Sequence, residues 1–313
     1  MTRLVVTGAS GFVGRRLMTM ARERGHEVLG LCRQPPADGT DLVGGYDLGS
    51  DSLPVSLSGV DCVVHCAARV HQMNDQASDP LASFRQHNRD ATLVLARAAA
   101  DAGVRRFVFI SSIKVNGEQT RPGQPFRADD RPAPEDPYGQ SKAEAEEGLR
   151  AVAAETGMEV VIIRPPLVYG PGVRANFAAL MGLVARGLPL PFGRVDNRRS
   201  LVFLDNLVDL VLTCCDHPAA AGQVFLVSDD DDLSLARLVR ELAAAMGRPA
   251  RLLPVPVSVM SLVARLLGRA DLVKRLFGSL QVEVGPTRER LGWTPPVTVS
   301  DAFRRTVRAG SST

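Results

Sequence analysis

A tyrosine and a lysine four residues apart carry the first chemical signal of this chain. Tyr138 and Lys142 lie within the stretch Tyr138-Gly139-Gln140-Ser141-Lys142, which is predicted to be helical, so both side chains project from the same face. A neighbouring ammonium group stabilises a phenolate and is expected to lower the pKa of Tyr138 from about 10 towards the working range. Such a tyrosine can exchange a proton with an alcohol oxygen as a general acid or base.

The position of this pair in the chain supports a catalytic role, whereas the pattern Tyr-x-x-x-Lys alone occurs by chance on surface helices. A predicted strand ends at Ile110-Ser111-Ser112, and the proline- and glycine-rich segment from Glu118 to Pro137 is predicted to be a loop. The loop can return the helix to the carboxyl end of that strand, where open parallel sheets bind ligands. Ser112 is expected to donate a hydrogen bond to the same reacting oxygen. The alternative is that its hydroxyl only closes a turn.

A glycine-rich turn near the start of the chain predicts a dinucleotide site. The run Gly8-Ala9-Ser10-Gly11-Phe12-Val13-Gly14 follows the apolar residues Leu4-Val5-Val6 and opens an amphipathic helix. In such a strand–turn–helix unit, unpaired N–H groups bind a pyrophosphate, and the glycines let it come close. The spacing is Gly-x-x-Gly-x-x-Gly rather than the commoner Gly-x-Gly-x-x-Gly. Small residues here can also serve only the close packing of helix on strand.

Short apolar segments alternate with helical patterns through the first half of the chain. The segments are rich in valine and isoleucine, as is typical of strands buried on both faces. The predicted strands are Leu4 to Thr7, Val28 to Leu31, Val60 to His65, Phe107 to Ile110 and Val160 to Ile163. The predicted helices are Phe12 to Arg24, Leu81 to Ala102 and Tyr138 to Thr156. The predicted fold class is α/β, with a Rossmann-like, doubly wound parallel sheet.

The second half of the chain is predicted to form a smaller lobe. Prolines and glycines after Arg164 mark a loop, and later helices and strands are mixed. The predicted elements are helices at Asn176 to Arg186, Asn206 to Asp216 and Leu235 to Met246, and strands at Leu201 to Leu204 and Val224 to Val227. Residues 1–165 are assigned to a dinucleotide-binding domain with contributions from later elements. Residues 166–313 are assigned mainly to an α/β substrate-binding lobe.

Composition excludes several classes of protein. The 313 residues carry a formal net charge of +3, with no basic and aromatic block of the kind that binds nucleic acid. The five cysteines form no Cys-x-x-Cys pair, which favours reduced, mostly buried thiols and a cytoplasmic protein. No signal peptide is expected, and no uncharged run approaches the roughly 18 residues of a membrane span. The spacing of His65, His71 and His87 predicts no metal site.

Two later segments of unusual composition are open to more than one interpretation. The acidic run Asp229 to Asp232 precedes a predicted helix and is expected to be a solvated first turn rather than a calcium site. The leucine-rich stretch Val255 to Leu280 contains interspersed arginines and a lysine: Arg265, Arg269, Lys274 and Arg275. We expect it to form a helical cap on the substrate lobe or across a dimer, and the alternative is a segment on a membrane surface.

Together, these residues resemble the extended short-chain dehydrogenase/reductase family, whose members mostly act on nucleotide sugars. The glycine turn matches the family's cofactor loop, and Ser112, Tyr138 and Lys142 match its catalytic trio. The resemblance implies that NADP or NAD contacts Tyr138 and Lys142, together with Gly8, Ser10, Gly11, Phe12, Val13, Gly14, Arg33, Asp47, Leu48, Cys66, Ala67, Ala68, Ser111, Pro165 and Val168. It also implies a UDP-sugar substrate bound by Ser112, Asn176 and Arg199, with the arginine at the diphosphate.

The resemblance extends over nearly the whole chain. Asn88 matches a helix asparagine that steadies the edge of the sheet, and Leu291-Gly292-Trp293-x-Pro295 matches the usual end of the family's sequences. Dimers are common in the family, so a homodimer is expected by analogy.

The end of the second predicted strand departs from the NAD-preferring members of the family. Those members carry an acidic residue there, which accepts hydrogen bonds from the adenosine ribose. This chain has Cys32 and Arg33 instead. Arg33, with Arg15 or Arg16 nearby, is expected to hold the 2′-phosphate of NADP, which favours NADPH. The alternative is that Arg33 is a solvated loop cation.

The residues after Ser112 narrow the expected reaction. Dehydratases of the family place Asp-Glu there, whereas this chain has Ile113-Lys114, which disfavours loss of water. The segment Ser111 to Glu118 resembles a subgroup of the UDP-glucose 4-epimerase class that includes bacterial reductases of UDP-4-keto-6-deoxy-N-acetylhexosamines. We therefore expect a 4-ketoreductase of surface-polysaccharide biosynthesis. The alternatives are a 4-epimerase of UDP-glucose or UDP-N-acetylglucosamine, and a non-catalytic regulator that senses the dinucleotide.

Overall fold

Seven parallel strands form the sheet on which the described chain is organised. The structure, a computed structural model, describes residues 1–34, 42–48, 53–70, 79–268 and 276–310. The sheet order is β3-β2-β1-β4-β5-β6-β9, and β7 pairs with β8 in a separate two-stranded sheet. The strands are β1 (Arg3–Thr7), β2 (Glu27–Leu31), β3 (Leu42–Val43), β4 (Cys62–His65), β5 (Arg106–Ile110), β6 (Glu159–Arg164), β7 (Leu167–Tyr169), β8 (Leu201–Phe203) and β9 (Val224–Leu226). This order, which reverses between β1 and β4, confirms the doubly wound sheet.

Helices cover both faces of the sheet. One apolar cluster packs α1 and α6 on one face, and a second packs α3 and α4 on the other. A third cluster, which includes stacked Tyr169, Phe177 and Phe303, lies beyond the sheet. The helices are α1 (Phe12–Glu23), α2 (Pro80–Phe84), α3 (Ala91–Asp101), α4 (Pro137–Thr156), α5 (Ala175–Ala185), α6 (Leu204–Asp216), α7 (Leu235–Ala245), α8 (Val257–Leu266), α9 (Gly285–Leu291) and α10 (Val299–Gly310). None of the helices among the described residues has the length and apolar character to cross a membrane.

The predicted helix from Leu81 to Ala102 is interrupted by a π-helical turn. Arg85–Asp90 adopts this wider turn between α2 and α3. It buries Asn88, whose Oδ1 accepts from the Arg69 N–H at 2.8 Å and whose Nδ2 donates to the Arg69 carbonyl at 3.0 Å and to the Ser141 hydroxyl at 3.1 Å. Asn88 therefore ties the chain that follows β4 to α4, in agreement with its expected role at the edge of the sheet.

Asp229 is buried, so the prediction of a solvated acidic turn is wrong at this residue. Its carboxylate accepts hydrogen bonds from the Tyr169 hydroxyl, the Phe203 N–H and the Asn206 amide at 2.7–2.8 Å. Burial raises the pKa of this carboxyl above its usual value. The helix that follows begins at Leu235, and the Ser234 side chain caps it. Asp229 serves instead as a junction between β7, β8 and α6.

In the leucine-rich stretch predicted as a cap on the substrate lobe or across a dimer, the part that begins at Val255 is half-buried on one face only. Its first part forms α8, in which no residue is buried. Arg269, Lys274 and Arg275 lie outside the described residues, as does His71. A cap on the lobe would bury the leucines of this stretch, whereas Leu262 and Leu266 are exposed.

Candidate active site

The glycine turn between β1 and α1 forms a backbone cradle. Gly8 has a φ of +66°, and a Cβ there would lie 2.8 Å from the backbone of Ala67. A Cβ at Gly14 would clash with the carbonyl oxygen of Gly8. Gly11 is the N-cap of α1, and among the described residues no side chain caps this helix. The first N–H groups of α1 have no intrahelical partners, so the cradle fits the pyrophosphate of a dinucleotide.

The chain after β4 forms the opposite wall of this cradle. The His65 ring is buried between the hydroxyls of Thr7, at 2.7 Å, and Thr92, at 3.0 Å, and it stacks on Phe109. Burial lowers the pKa of His65 to about 3, so the ring is neutral. His65 is therefore structural. It fixes the start of the half-buried run Cys66, Ala67 and Ala68, which was predicted to line the cofactor.

The first turn of α4 brings Tyr138 to the carboxyl end of β5. Asp136 caps the helix by accepting from the Gly139 N–H at 2.6 Å, and Pro137 occupies the first turn. The half-buried Tyr138 side chain lies near Ser112, which lowers the pKa of the phenol slightly. The Ser112 hydroxyl accepts from the Lys114 N–H at 3.2 Å. The predicted turn-closing role of Ser112 is therefore confirmed, whereas its hydrogen bond to a reacting oxygen stays a prediction.

The expectation that Lys142 lowers the pKa of Tyr138 is wrong. Burial and the nearby Asp136 carboxylate raise the pKa of Tyr138 to about 12, against a smaller lowering by Ser112. The ammonium of Lys142 donates to the Ile110 carbonyl at 2.9 Å and lies 4.4 Å above the Phe109 ring. Burial lowers the pKa of Lys142 to about 8. The lysine is therefore held by the end of β5, and the phenol is protonated at neutral pH.

A buried ion pair beneath the two catalytic candidates was not predicted from the sequence. Arg164, at the end of β6, donates to Glu146 through Nε at 2.9 Å and Nη2 at 2.6 Å, and both side chains are 1% exposed. Glu146 also accepts from the Ser111 hydroxyl at 2.6 Å, and Arg164 donates to Asn116 at 2.9 Å. The pair joins α4, β5 and β6 directly under Ser112 and Lys142. The Ser111 hydroxyl, predicted to contact cofactor, is bound to this network.

The adenosine end of the predicted cofactor site contains two available arginines rather than three. Arg33 is exposed just after β2, and Arg15 donates to the Ser10 carbonyl at 3.1 Å. Arg16 instead forms a bidentate ion pair with Asp205 at 2.7 and 3.1 Å. Its predicted use for a 2′-phosphate is therefore wrong, because Asp205 already occupies its donors. The exposed Asp47 and half-buried Leu48 follow β3 at the same edge of the sheet.

The residues predicted to contact nicotinamide and substrate lie after β6 and in the smaller lobe. The buried Pro165 accepts from the Ile113 N–H at 3.0 Å, which places it beside the turn of Ser112, and the half-buried Val168 lies in β7. Arg199 donates to the Gly278 carbonyl at 3.2 Å, and burial lowers its pKa. Asn176 is exposed at the start of α5. Substrate contacts of Asn176 and Arg199 stay predictions.

A known protein family matches the part of the chain that contains the fold and site described above. The model of the NAD-dependent epimerase/dehydratase family matches residues 4–228. The chain belongs to this family. The match spans the glycine cradle, the turn of Ser112 and the start of α4, so members of the family share the architecture that holds the candidate site.

Individual relatives resemble the chain over its full length. It is 50% identical over 312 residues to a UDP-glucose 4-epimerase of Vibrio cholerae, a match that covers 98% of this chain and 94% of that protein. It is 27% identical over 326 residues to the N-acetyl-α-D-glucosaminyl-diphospho-ditrans,octacis-undecaprenol 4-epimerase of Escherichia coli O157:H7, covering 97% and 94%. A crystal structure of UDP-glucose 4-epimerase with UDP-glucose from Thermotoga maritima matches with a TM-score of 0.77 at 22% identity, covering 99% of both chains.

Proposed function

We propose that this chain is a 4-epimerase of UDP-hexoses. The observation that carries the proposal is the 50% identity, over 98% of the chain, to the UDP-glucose 4-epimerase of Vibrio cholerae. The neighbouring hydroxyls of Tyr138 and Ser112 would supply a proton donor and acceptor at the carboxyl end of β5. This reaction is the alternative, rather than the leading prediction, that we drew from the sequence.

Each residue of the site has a defined task in such a reaction. A bound nicotinamide dinucleotide supplies the hydride acceptor and donor. Tyr138 takes the proton of the sugar 4-hydroxyl when C4 is oxidised and returns a proton to that oxygen when C4 is reduced. Ser112 donates a hydrogen bond to the same oxygen, which stabilises its developing charge. Lys142, fixed at the end of β5, provides positive charge close to the tyrosine.

The protonation of Tyr138 in the free chain fits this cycle. With a pKa of about 12, the phenol cannot act as a base at neutral pH until positive charge in the complete site lowers that pKa. The cationic Lys142 and the positive end of α1 both lie at this edge of the sheet. Proton removal from the sugar therefore depends on the assembled complex.

The sequence prediction of a 4-ketoreductase came from the resemblance of Ser111 to Glu118 to a reductase subgroup and from the missing acidic residue at the end of β2. The absence of an acidic residue after β2 suggested a loose cofactor site suited to exchange of spent cofactor. In the epimerase proposal, the glycine cradle, the wall at Ala67 and the end of α1 would hold the dinucleotide by other contacts, so the missing acidic residue does not by itself require a loose site. Ketoreduction stays a second candidate, supported by the Cys32-Arg33 end of β2.

Product analysis distinguishes the two candidates. Purified protein should interconvert UDP-glucose with UDP-galactose, or their N-acetyl forms, when supplied with catalytic NAD and no reductant. The Tyr138→Phe variant should not. If neither pair interconverts, and the protein instead consumes NADPH or NADH in proportion to a UDP-4-keto-6-deoxy-N-acetylhexosamine, the epimerase proposal is wrong and the ketoreductase is correct.

Arg33 is expected to let the chain bind NADP at least as tightly as NAD. Charge-assisted hydrogen bonds from a guanidinium are worth about 1.5–3 kcal/mol, or roughly 10- to 100-fold in affinity. Titration calorimetry should show that Arg33→Asp weakens NADP binding by about tenfold or more and leaves NAD binding nearly unchanged. Arg97→Asp, on the exposed face of α3, makes the same change in net charge and serves as control. An unchanged ratio of the two affinities would place Arg33 outside the site.

A further inference from the structure

The outward face of α8 is apolar, which reverses the usual arrangement of a surface helix. Four apolar side chains are 49–78% exposed at the spacing i, i+3, i+4, i+7 that defines one helical face: Val259, Leu262, Val263 and Leu266. The opposite face is half-buried against the protein and consists of Val257, Met260, Ser261 and Ala264. The larger leucines therefore face solvent. A contiguous exposed apolar face of this kind marks a surface that binds something.

Exposed leucines also lie in the two paired segments of chain near Leu190 and Leu252, the second of which leads to α8. The Leu190 N–H donates to the Arg251 carbonyl, and the Leu253 N–H donates to the Leu190 carbonyl, both at 2.8 Å. This pairing brings two more exposed leucines to the approach of α8, Leu188 at 45% and Leu253 at 48%. Leu267, which follows the helix, is 70% exposed.

All charged side chains in these segments are positive. Residues 165–195 and 242–268 contain six arginines and no lysine, aspartate or glutamate, although the whole chain has 37 basic and 34 acidic residues. All six arginines are exposed: Arg174, Arg186, Arg194, Arg248, Arg251 and Arg265. The Arg248 guanidinium donates to the Ala185 carbonyl, which holds it against the end of α5. Within these segments the apolar surface is therefore accompanied by arginines alone, and the next acidic residues along the chain are Asp196, Glu241 and Asp271.

We propose that the exposed face of α8 docks on an anionic lipid bilayer, with its leucines in the headgroup region and the surrounding arginines against lipid phosphates. Apolar side chains flanked by cations have the composition of helices that lie in the plane of a membrane. With ten residues, α8 is too short to cross one. A second copy of this chain fits the face less well, because pairing of two copies would bring two sets of arginines together.

Vesicle flotation tests this surface. The full chain should bind vesicles of phosphatidylcholine and phosphatidylglycerol at least about tenfold more strongly than vesicles of phosphatidylcholine alone, and high salt should reduce the binding. The double variant Leu262→Ser/Leu266→Ser should lose about tenfold or more of the anionic-vesicle binding. The single variant Arg265→Gln should lose a smaller part. Vesicle binding needs no substrate, so it is independent of the proposed activity.

Matched controls make each result decisive. Val94 on α3 is 48% exposed, and Val94→Ser should bind anionic vesicles like the unchanged chain. Thermal unfolding followed by circular dichroism should be alike for all variants, because the altered side chains are exposed. Equal binding by the unchanged chain and the double variant would overturn the proposal. An absence of vesicle binding would also overturn it. Analytical ultracentrifugation would then show whether the exposed face instead joins two copies of the chain, because Leu262→Ser/Leu266→Ser should dissociate such a dimer.

Discussion

Replacing Tyr138 by phenylalanine should lower the turnover of a UDP-hexose by about 100-fold or more, which is the usual contribution of a positioned acid or base. The variant loses only the phenol hydroxyl, which lies near Ser112. The ring should keep its edge-on contact with Phe84, whose centroid lies 6.0 Å away. We therefore expect kcat to fall while the affinity for cofactor and the melting temperature change little. Steady-state kinetics with cofactor titration measure both effects.

The matched control for this variant is Tyr46→Phe. Tyr46 is a buried tyrosine beside β3, at 6% exposure, and has no part in the proposed proton transfer. Its replacement should leave kcat within about threefold of the unchanged chain, since remote substitutions usually have small effects. Near-normal turnover of Tyr138→Phe on the true substrate would remove Tyr138 from the role of proton donor.

Breaking the buried pair of Arg164 and Glu146 should lower the free energy of unfolding far more than breaking a surface ion pair. Arg164→Met leaves the Glu146 carboxylate 1% exposed without its main partner, and removing one member of a buried pair costs about 3–5 kcal/mol. Urea unfolding should show this difference in the free energy of unfolding. The double variant Arg164→Met/Glu146→Leu should recover much of the lost stability, because neither charge of the pair then remains buried without its partner.

A surface ion pair provides the comparison. Arg97 and Glu155 join α3 and α4 at 2.7 Å with both side chains more than half exposed, and Arg97→Met should cost at most about 1 kcal/mol. If Arg164→Met costs no more than Arg97→Met, Glu146 must be neutralised or solvated in the variant. The buried pair would then have no special role in holding α4 to β5 and β6.

The sequence predicted the sheet well because buried parallel strands have a local signature. Runs of valine and isoleucine located β1, β2, β5 and β6 to within one or two residues. The start of β4 was predicted two residues early, because Val60 belongs to the preceding turn, where its N–H binds the Leu57 carbonyl. The predicted helix from Tyr138 to Thr156 begins one residue late, because Pro137, which was predicted to belong to the preceding loop, occupies the first turn of α4 after the Asp136 cap.

The features that the sequence did not predict depend on contacts between distant residues. Glu146 and Arg164 are 18 positions apart on different elements, and nothing in either local pattern distinguishes them from solvated charges. The pKa of Tyr138 depends on burial and on Asp136, which only the assembled loop determines. The exposure of Leu262 and Leu266 was missed for a related reason, because periodicity identifies an apolar face without showing what that face contacts.

In the π-helical turn Arg85–Asp90, the number of residues controls the orientation of Asn88 more strongly than the residue types at the exposed positions do. A π turn holds one residue more than an α turn, and each residue rotates a helix by about 100°. A single deletion anywhere in the turn would restore a regular helix and swing Asn88 away from Arg69 and Ser141. Substitutions at the exposed positions of the turn leave that geometry intact. In the evolution of this chain, gaps should therefore be excluded here even where the residue types drift freely.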